Sequence, residues 1–334
     1  MKFTLDEHQR DFAASIDAAL GGADVPAAVR AWAGGDTGPA RTIWRLLAEL
    51  GVTALAVPEE FDGIGADPVD LVVAAERLGR WCVPGPITES IAVAPVLMAR
   101  DARSAALAAG DLIASVAMPP AVPRAVNADF AGLVLLARDG AVSEAAPMAA
   151  YDSVDPGRRL FDVEPSAESR PADVARAYEF GALATAAQLV GAGQAMLGMT
   201  VDYAGQRSQF GRVIGSYQAI KHTLADVHIA LDLARPLIYG AALSVSEDSP
   251  DIARDVSAAK AAASDAALLA ARAALQTHGA IGYTAEHDLS QWLLRVQALY
   301  SAWGDPTLHR RRVLAELCGG AADLPQHGGA GEDS

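Results

Sequence analysis

The sequence predicts a mainly α-helical protein with a small β domain between two helical regions. Apolar residues recur at helical spacing in the first and last thirds of the chain, whereas the middle contains short β-prone runs (LIASVAM, GLVLLAR and LFDVEP). Hydrophobic residues make up 51% of the chain and aromatic residues only 6%, which favours close helix–helix packing over an aromatic-rich β-sandwich. We therefore expect an N-terminal helical domain at residues 1–112, a reduced β domain at 113–170, a C-terminal four-helix bundle at 171–318 and a disordered tail at 319–334.

The N-terminal region is expected to contain helices joined by short loops. Apolar residues at helical spacing predict helices at 6–20 and 42–50, and Gly51 ends the second of them. A loop rich in Pro, Gly and Asp follows at 57–68, and the Asp–Pro pair at its end is a typical helix start. The stretch CVPGPITES at 82–90 is expected to interrupt the helices again.

The C-terminal region is predicted to be a bundle of long amphipathic helices. The helical pattern places them at 172–208, 217–246, 250–277 and 285–303. At about 1.5 Å per residue the first is about 50 Å long. A fifth helix is expected to begin near Pro306, and Pro236 is expected to kink the second helix because its ring clashes with the carbonyl one turn earlier.

Charge and composition exclude several classes of function. The 26 basic and 41 acidic residues give a net charge of −15, so a nucleic-acid or anionic-membrane surface is not expected. The two cysteines, Cys82 and Cys318, support neither a disulfide framework nor a zinc module, and the seven histidines lack metal-ligand spacing. There is no secretory signal and no uninterrupted apolar run long enough for a membrane span, so we expect a cytoplasmic protein without a metal site.

The most informative segment, RSQFGRVIGSYQAIKHTLADVHIALDLAR, begins at Arg207. It ends one helix, turns through Gly211 and Gly215, and starts another. An arginine at a helix C-terminus is favoured by the helix dipole even without a ligand, so Arg207 alone says little. The whole pattern, R-x-x-F-G-x-x-I-x-x-x-Q-x-x-K-H-x-x-A-D, resembles the acyl-CoA dehydrogenase family.

Two further segments resemble the same family and occur in the expected order. LQTHGAIGYTAE at 275–286 is similar to the family's Q-x-x-G-G-x-G-Y turn, with Ala280 in place of the second glycine. The segment at 46–80, with its VPEEFDGIG stretch, is similar to the family's N-terminal region. The resemblance covers about four fifths of the chain and is weakest in the β region.

The resemblance implies an FAD-dependent enzyme that removes hydrogens from the α and β carbons of an acyl-CoA thioester. In that family the ADP half of FAD reaches into the helical bundle of a neighbouring subunit. The implied cofactor-binding residues are Arg207 on the pyrophosphate, Phe210 and Gln218 at the adenosine end, Gln209 and Gly211 beside them, and Gln276, Gly279 and Gly282 where the backbone approaches the cofactor. For Lys221, His222 and Asp226 we favour hydrogen bonds within the bundle.

The residue that the family uses as its catalytic base is absent. Desaturation needs a carboxylate to take the α-proton, and the family keeps this glutamate at one of two positions. Here one position is Gly304, and the other, 26 residues before the motif arginine, is Gly181. Glu179 lies nearby, but two residues along a helix its side chain points about 200° away. Asp305 is expected to cap the last helix and is a weak candidate for a substitute base. No residue of this chain is therefore assigned as catalytic.

The β region also lacks the family's segments that hold the flavin ring and the thioester. Together with the missing glutamate, this resembles the small subunit of the heterotetrameric (α2β2) acyl-CoA dehydrogenases of actinobacterial steroid side-chain degradation. The resemblance implies a full-length homologous partner that supplies the glutamate and the flavin ring, an acyl-CoA substrate and an electron acceptor. Two alternatives remain: a homomeric flavoenzyme that uses Asp305 or no base, and a non-redox scaffold or regulatory subunit.

Overall fold

The computed structural model describes residues 4–284 and 287–319. The predicted tail, apart from Gly319, lies outside the described residues, and so does the predicted start of the fourth bundle helix at 285. The described part has helices on both sides of a small β domain, as the sequence predicts.

The N-terminal region is a set of packed helices. They are α1 (Glu7–Gly21), α2 (Val25–Ala33), α3 (Gly38–Glu49), α4 (Pro68–Arg80), a π-helical segment (Thr88–Val93), α5 (Ala94–Leu97) and α6 (Ser104–Ala108). Asp6 and Asp67 cap α1 and α4, each accepting a hydrogen bond from a backbone N–H of the first turn. The expected interruption at 82–90 is wrong in its last residues, because Thr88, Glu89 and Ser90 are buried and already helical.

The β domain is a six-stranded sheet. Its two continuously apolar strands, one at the edge of the sheet and the other next to it, are buried. The strands are β1 (Ala114–Ala117), β2 (Ala125–Val126), β3 (Leu133–Arg138), β4 (Ala141–Tyr151), β5 (Leu160–Pro165) and β6 (Arg170–Pro171). Their order is β1-β3-β4-β5-β2, with β6 also paired to β4; β1 and β3 are parallel, and the other pairs are antiparallel. Strand β1 is buried along its whole length and β3 up to Arg138, as their continuous apolar runs require.

The C-terminal region is the predicted bundle. Its helices are α7 (Val174–Gln206), α8 (Gln218–Ser246), α9 (Ile252–His278), α10 (Leu289–Ser301) and α11 (Pro306–Leu317). Helix α8 continues through Pro236 to Ser246, so the proline does not end it. A short hairpin, β7 (Ser208–Gln209) and β8 (Arg212–Val213), joins α7 to α8.

Helix α7 lies at the centre of the molecule and packs against α4, α8, α9 and α10. By length and composition, α7 and α8 could each cross a membrane, and the bent pair of α1 and α2 passes the same test together. However, 83% of the apolar window of α7 is buried inside the fold, so its central position explains its hydropathy. In α8 only 39% of the window is buried, which leaves an apolar face uncovered by this chain.

Close contact between α4 and α7 requires a glycine. A Cβ atom at Gly191 of α7 would lie 1.9 Å from the backbone oxygen of Glu76 on α4. The two backbones therefore touch at a point where no side chain fits. The carboxylate of Glu76 extends this contact to α8, where it accepts hydrogen bonds from Arg235 (2.9 Å) and Tyr239 (3.3 Å).

We predict that Gly191→Ala destabilises the protein by about 1–3 kcal/mol, because the two helices must move apart. Gly198→Ala on the same helix is the matched control: its Cβ would meet nothing within 4 Å, and replacing an exposed helical glycine by alanine stabilises by about 0.5–1 kcal/mol. Urea unfolding measures both effects. Equal behaviour of the two variants would contradict the close approach.

Candidate cofactor-binding surface and the catalytic-base positions

The motif that begins at Arg207 forms a hairpin that projects from the end of the bundle. Phe210 and Gly211 occupy its two-residue turn with φ of 51° and 81°, the left-handed pair typical of a type I′ turn. Glycine adopts this conformation freely, whereas phenylalanine rarely does. The Phe210 ring is nevertheless 92% exposed, so the hairpin holds an aromatic side chain in solvent at a conformational cost.

The hairpin is braced against the start of α8. The Tyr217 hydroxyl donates to the backbone oxygen of Gln209 (3.3 Å), and the Arg212 guanidinium lies over the Tyr217 ring, 3.9 Å from its centroid. The Ile214 N–H donates to the backbone oxygen of Arg207 (2.8 Å). These contacts fix the backbone and leave the Arg207 side chain free.

Arg207 is exposed and forms no ion pair with any residue that the structure describes, although the chain carries a net charge of −15. A free guanidinium at the end of a helix and beside an exposed aromatic ring suits a diphosphate and a base. Gln209 and Gln218 are exposed around it. The side chains present at this hairpin therefore fit the ADP half of FAD.

The second motif lies at the same end of the bundle. The Tyr203 ring near the end of α7 stacks on His278 at the end of α9, with their centroids 4.3 Å apart. Gln276 is exposed, and Gly279 has φ 65° and ψ −143°, a conformation available essentially only to glycine. Gly282 is buried beneath this turn.

Lys221, His222 and Asp226 do not behave as the sequence suggests. All three are exposed on the first turns of α8, and their side chains make no hydrogen bond with the residues described. Among the described residues, the expected hydrogen bonds within the bundle are therefore wrong, because all three side chains lie on an exposed part of α8.

Both positions of the missing base are closed by tertiary contacts. A Cβ atom at Gly181 would lie 2.3 Å from the ring of Trp303, which is 1% exposed and therefore part of the core. Gly304 has φ of 96°, and a Cβ atom there would lie 2.7 Å from His309 Nε2 and 2.8 Å from the hydroxyl of Tyr178. Neither position has room for a glutamate in this arrangement.

Hydrogen bonds hold Trp303 in place through both its side chain and its backbone. Its indole N–H donates to Glu89 Oε1 (3.2 Å), and its backbone oxygen accepts hydrogen bonds from His309 Nε2 (2.8 Å) and the hydroxyl of Tyr178 (3.1 Å). Its φ of 58° is left-handed, so this network holds a strained residue. His309 Nε2 donates to the Trp303 carbonyl oxygen, and burial lowers the pKa of the imidazole to about 4, so the ring is neutral near pH 7.

Lys260 anchors the same turn from α9. It is completely buried, and its ammonium group donates to the backbone oxygens of Leu299 (3.3 Å), Tyr300 (3.2 Å) and Gly304 (3.0 Å). Burial lowers the pKa of Lys260 to about 7. The lysine thus serves as a C-terminal cap for α10.

Glu89 and Lys260 are two buried residues of this site that were not predicted from the sequence. Glu89 lies in a segment whose Pro and Gly content predicts an interruption of the helices. No local sequence pattern therefore predicts that its side chain is buried. A signal did exist for Lys260: it is one of three lysines in the sequence and stands among alanines on an apolar helix face.

The two carboxylates near the base positions have other roles. Asp305 caps α11 as predicted, accepting a hydrogen bond from the Leu308 N–H (2.7 Å), and it is exposed. Glu179 is ion-paired with Arg312, and burial raises its pKa. Neither carboxylate lies in the space that Trp303 occupies above Gly181.

Comparison with known proteins gives matches to the acyl-CoA dehydrogenase family in both helical regions of the chain. The family model for the acyl-CoA dehydrogenase N-terminal domain matches residues 6–100, and that for the C-terminal domain matches residues 173–318. The acyl-CoA dehydrogenase IpdE2 of Mycobacterium tuberculosis is 34% identical over 309 residues, which cover 87% of this chain and 92% of that protein.

Solved structures share the fold. A chain of the ChsE4–ChsE5 complex from Mycobacterium tuberculosis superposes with a TM-score of 0.83 at 23% identity, covering 98% of this chain and 100% of that one. The steroid ACAD Tcur3481–Tcur3483 gives a TM-score of 0.83 at 20% identity, with coverages of 95% and 99%.

The buried imidazole of His309 generates a prediction about pH. The folded-state pKa of about 4 lies below the usual value of 6.5, so between these pH values the unfolded chain binds a proton that the folded chain does not. Stability is therefore lost as the pH falls through this window, by up to about 3 kcal/mol at about 1.4 kcal/mol per pKa unit.

His309→Gln retains an N–H donor for the Trp303 carbonyl but does not titrate. We expect its unfolding free energy to fall less than that of the wild type between about pH 7 and about pH 4.5, as measured by urea unfolding at each pH. An identical decline in both proteins would show that His309 does not cause it.

Proposed function

Because the chain belongs to the acyl-CoA dehydrogenase family, we propose that it is the subunit without a catalytic base in a heteromeric, FAD-dependent member of that family. In this proposal a homologous partner subunit supplies the catalytic glutamate and encloses the flavin ring. This chain binds the ADP half of the cofactor and completes the assembly.

The observation that carries the proposal is the position of Trp303. Its ring fills the space above Gly181, beside Gly304, so the chain lacks both the base and the room for one. The residues of the cofactor motif are instead exposed at the end of the bundle, where a second molecule can reach them. A filled base position and exposed cofactor-motif residues suit an active site shared between two subunits better than one that this chain encloses alone.

Each motif residue has a role that its chemistry supports. With FAD bound, the planar guanidinium of Arg207 would hold the pyrophosphate, and the ring of Phe210 would lie at the adenosine end. Gln209, Gln218 and Gln276 offer amide donors and acceptors around them, and Gly211 and Gly279 leave the exposed backbone open to close approach, while Gly282 packs beneath the turn. When bound, FAD would accept the hydride that leaves the β-carbon of the thioester.

An uncovered apolar stripe on α8 supports the partner subunit. Ile229, Leu233 and Leu237 follow one another at intervals of four residues and are 54%, 68% and 45% exposed. Such a stripe on one helix face is typical of a surface that packs against another protein. We propose a partner of the same fold in an α2β2 assembly; the structurally similar ChsE4–ChsE5 chains also occur as a complex.

The proposed substrate is an acyl-CoA thioester with a steroid-derived acyl group. This rests on similarity to the steroid ACAD Tcur3481–Tcur3483, and on the reduced β domain, which leaves more room for a bulky ring system. We further propose a cytoplasmic location and reoxidation of the flavin by a separate electron acceptor.

We predict that Arg207→Ala lowers the flavin content of the purified complex at least tenfold after dialysis, because two charge-assisted hydrogen bonds are lost. Arg207→Lys should recover only part of it, since lysine lacks the bidentate fork. Arg10→Ala is the control, an exposed arginine on α1. Flavin absorbance per protein measures the effect.

The same experiment tests the non-redox alternative. A scaffold that has lost cofactor binding predicts unchanged flavin content in Arg207→Ala. Flavin that remains bound in full would therefore favour the scaffold and remove the assignment of Arg207.

The homomeric alternative depends on Asp305. Since this side chain caps α11, Asp305→Asn keeps the hydrogen-bond acceptor and removes the charge. We predict unchanged turnover of the complex and a loss of stability below about 1 kcal/mol. A fall in turnover of a hundredfold or more, with flavin content preserved, would establish Asp305 as the base and refute the shared-site proposal.

A further inference from the structure

A groove of about 510 Å³ lies on the outside of the bundle, between α9 and α10. Leucines of both helices form its apolar walls: Leu268 and Leu275 on α9, and Leu293 and Leu294 on α10. All four are only partly buried, and Leu269, which follows the first of them, is 39% exposed. Leucines that remain partly in solvent on two adjacent helices form a surface that is suited to packing against another protein.

The exposed face of α9 beside this groove has a symmetric order of side chains. In the segment DAALLAAR at 265–272, two leucines stand between pairs of alanines, with Asp265 at one end and Arg272 at the other. At about 100° per residue, both leucines and Arg272 lie within about 60° of Asp265 around the helix. The four alanines face the bundle and are at most 7% exposed. The solvent face of this segment is therefore acidic, apolar, apolar and basic in order along the chain.

This order is self-complementary under two-fold symmetry. In a symmetric dimer, residue i of one copy contacts residue j of the other, and residue j contacts residue i. If two copies of α9 pack antiparallel with the axis between Leu268 and Leu269, Leu268 of each copy faces Leu269 of the other. Asp265 of each copy then faces Arg272 of the other, about 5 Å along the helix from the axis. The same segment thus supplies both an apolar centre and two ion pairs.

The two charged side chains are available for this contact. Arg272 is exposed and forms neither an ion pair nor a hydrogen bond with any residue that the structure describes. Asp265 is ion-paired with Arg310 of α11, but 49% of its side chain is exposed, and a carboxylate can accept hydrogen bonds from a second guanidinium. The net charge of −15 opposes the association of two copies, so attraction between opposite charges at the contact matters.

We propose that two copies of this chain associate through this face of α9, with the two-fold axis between Leu268 and Leu269. The leucines of each copy pack into the groove of the other, and the two Asp265–Arg272 pairs fix the antiparallel register. A second copy is the occupant because the same segment, turned by the two-fold axis, opposes both charges at once. In an α2β2 assembly, which rests on the function proposed above, this contact joins the two copies of the chain and leaves the α8 stripe to the homologous partner.

Charge exchange tests the register, and analytical ultracentrifugation of the full-length chain without its partner measures the effect. We expect the wild type to be a dimer at micromolar concentrations. Arg272→Asp should raise the dissociation constant at least tenfold, because two attractive pairs become two repulsive ones. Asp265→Arg should do the same. The double variant with both changes restores two pairs of opposite charge and should dimerise at least fivefold more tightly than either single variant.

Leu269→Asp should abolish the dimer by placing a carboxylate at the apolar centre of the contact. Two control variants make the same kinds of change elsewhere: Leu233→Asp in the exposed stripe of α8, and Asp11→Arg on the exposed face of α1. Both controls should dimerise as the wild type does. Circular dichroism shows whether each variant folds, and if Leu269→Asp does not, the exchange of the two exposed charges still decides.

Three results would each overturn the proposal: a wild type that is monomeric at about 100 μM, a dimer that survives Arg272→Asp or a folded Leu269→Asp, and a double variant that dimerises no more tightly than the single variants. Flavin loading of the complex is measured separately with Arg207→Ala. If the dimer dissociates as expected while Arg207→Ala retains all its flavin, the proposed function fails and the α9 contact stands. The converse result removes the α9 contact alone.

Discussion

The packing of the Trp303 ring against Gly181 is the contact on which the interpretation of this structure depends. It joins the turn after α10 to the central helix α7 and fills the space above Gly181, one of the two positions at which the resemblance to the family predicts a catalytic carboxylate. The contact needs a glycine on one side and a left-handed residue on the other, and either change alone would produce a clash or a cavity. The glycine at position 181 and the tryptophan at position 303 therefore depend on each other in this packing.

The charged groups around this turn explain how such a strained segment is maintained. Lys260 is buried and donates to three backbone oxygens, while the imidazole of His309 donates to the backbone oxygen of Trp303. Burying an ammonium group is costly, and its lowered pKa reflects that cost. The hydrogen bonds of Lys260 and His309 thus hold the turn against α9 and α11.

The two ends of the bundle differ in how far their side chains are exposed to solvent. At one end, Trp303 and its hydrogen-bond partners close the interior. At the other, Arg207 and Phe210 are held out in solvent by a hairpin whose geometry is unfavourable for phenylalanine. A chain that stabilises an exposed aromatic ring in this way has a surface whose partner lies outside it. This exposure is the physical basis for proposing that the site is shared between subunits.

The helices of the bundle, the capping role of Asp305 and the order of the three regions could be predicted from the sequence. The sequence also shows glycine, and not glutamate, at Gly181 and Gly304. These features follow from local patterns: periodicity, capping residues and spacing within a motif. Three features become visible only in the folded chain: Trp303 fills the space over Gly181, the buried Glu89 accepts a hydrogen bond from the Trp303 indole, and Lys221, His222 and Asp226 face solvent. Those facts depend on which distant segments meet, because burial and pairing are set by packing between elements far apart in the chain.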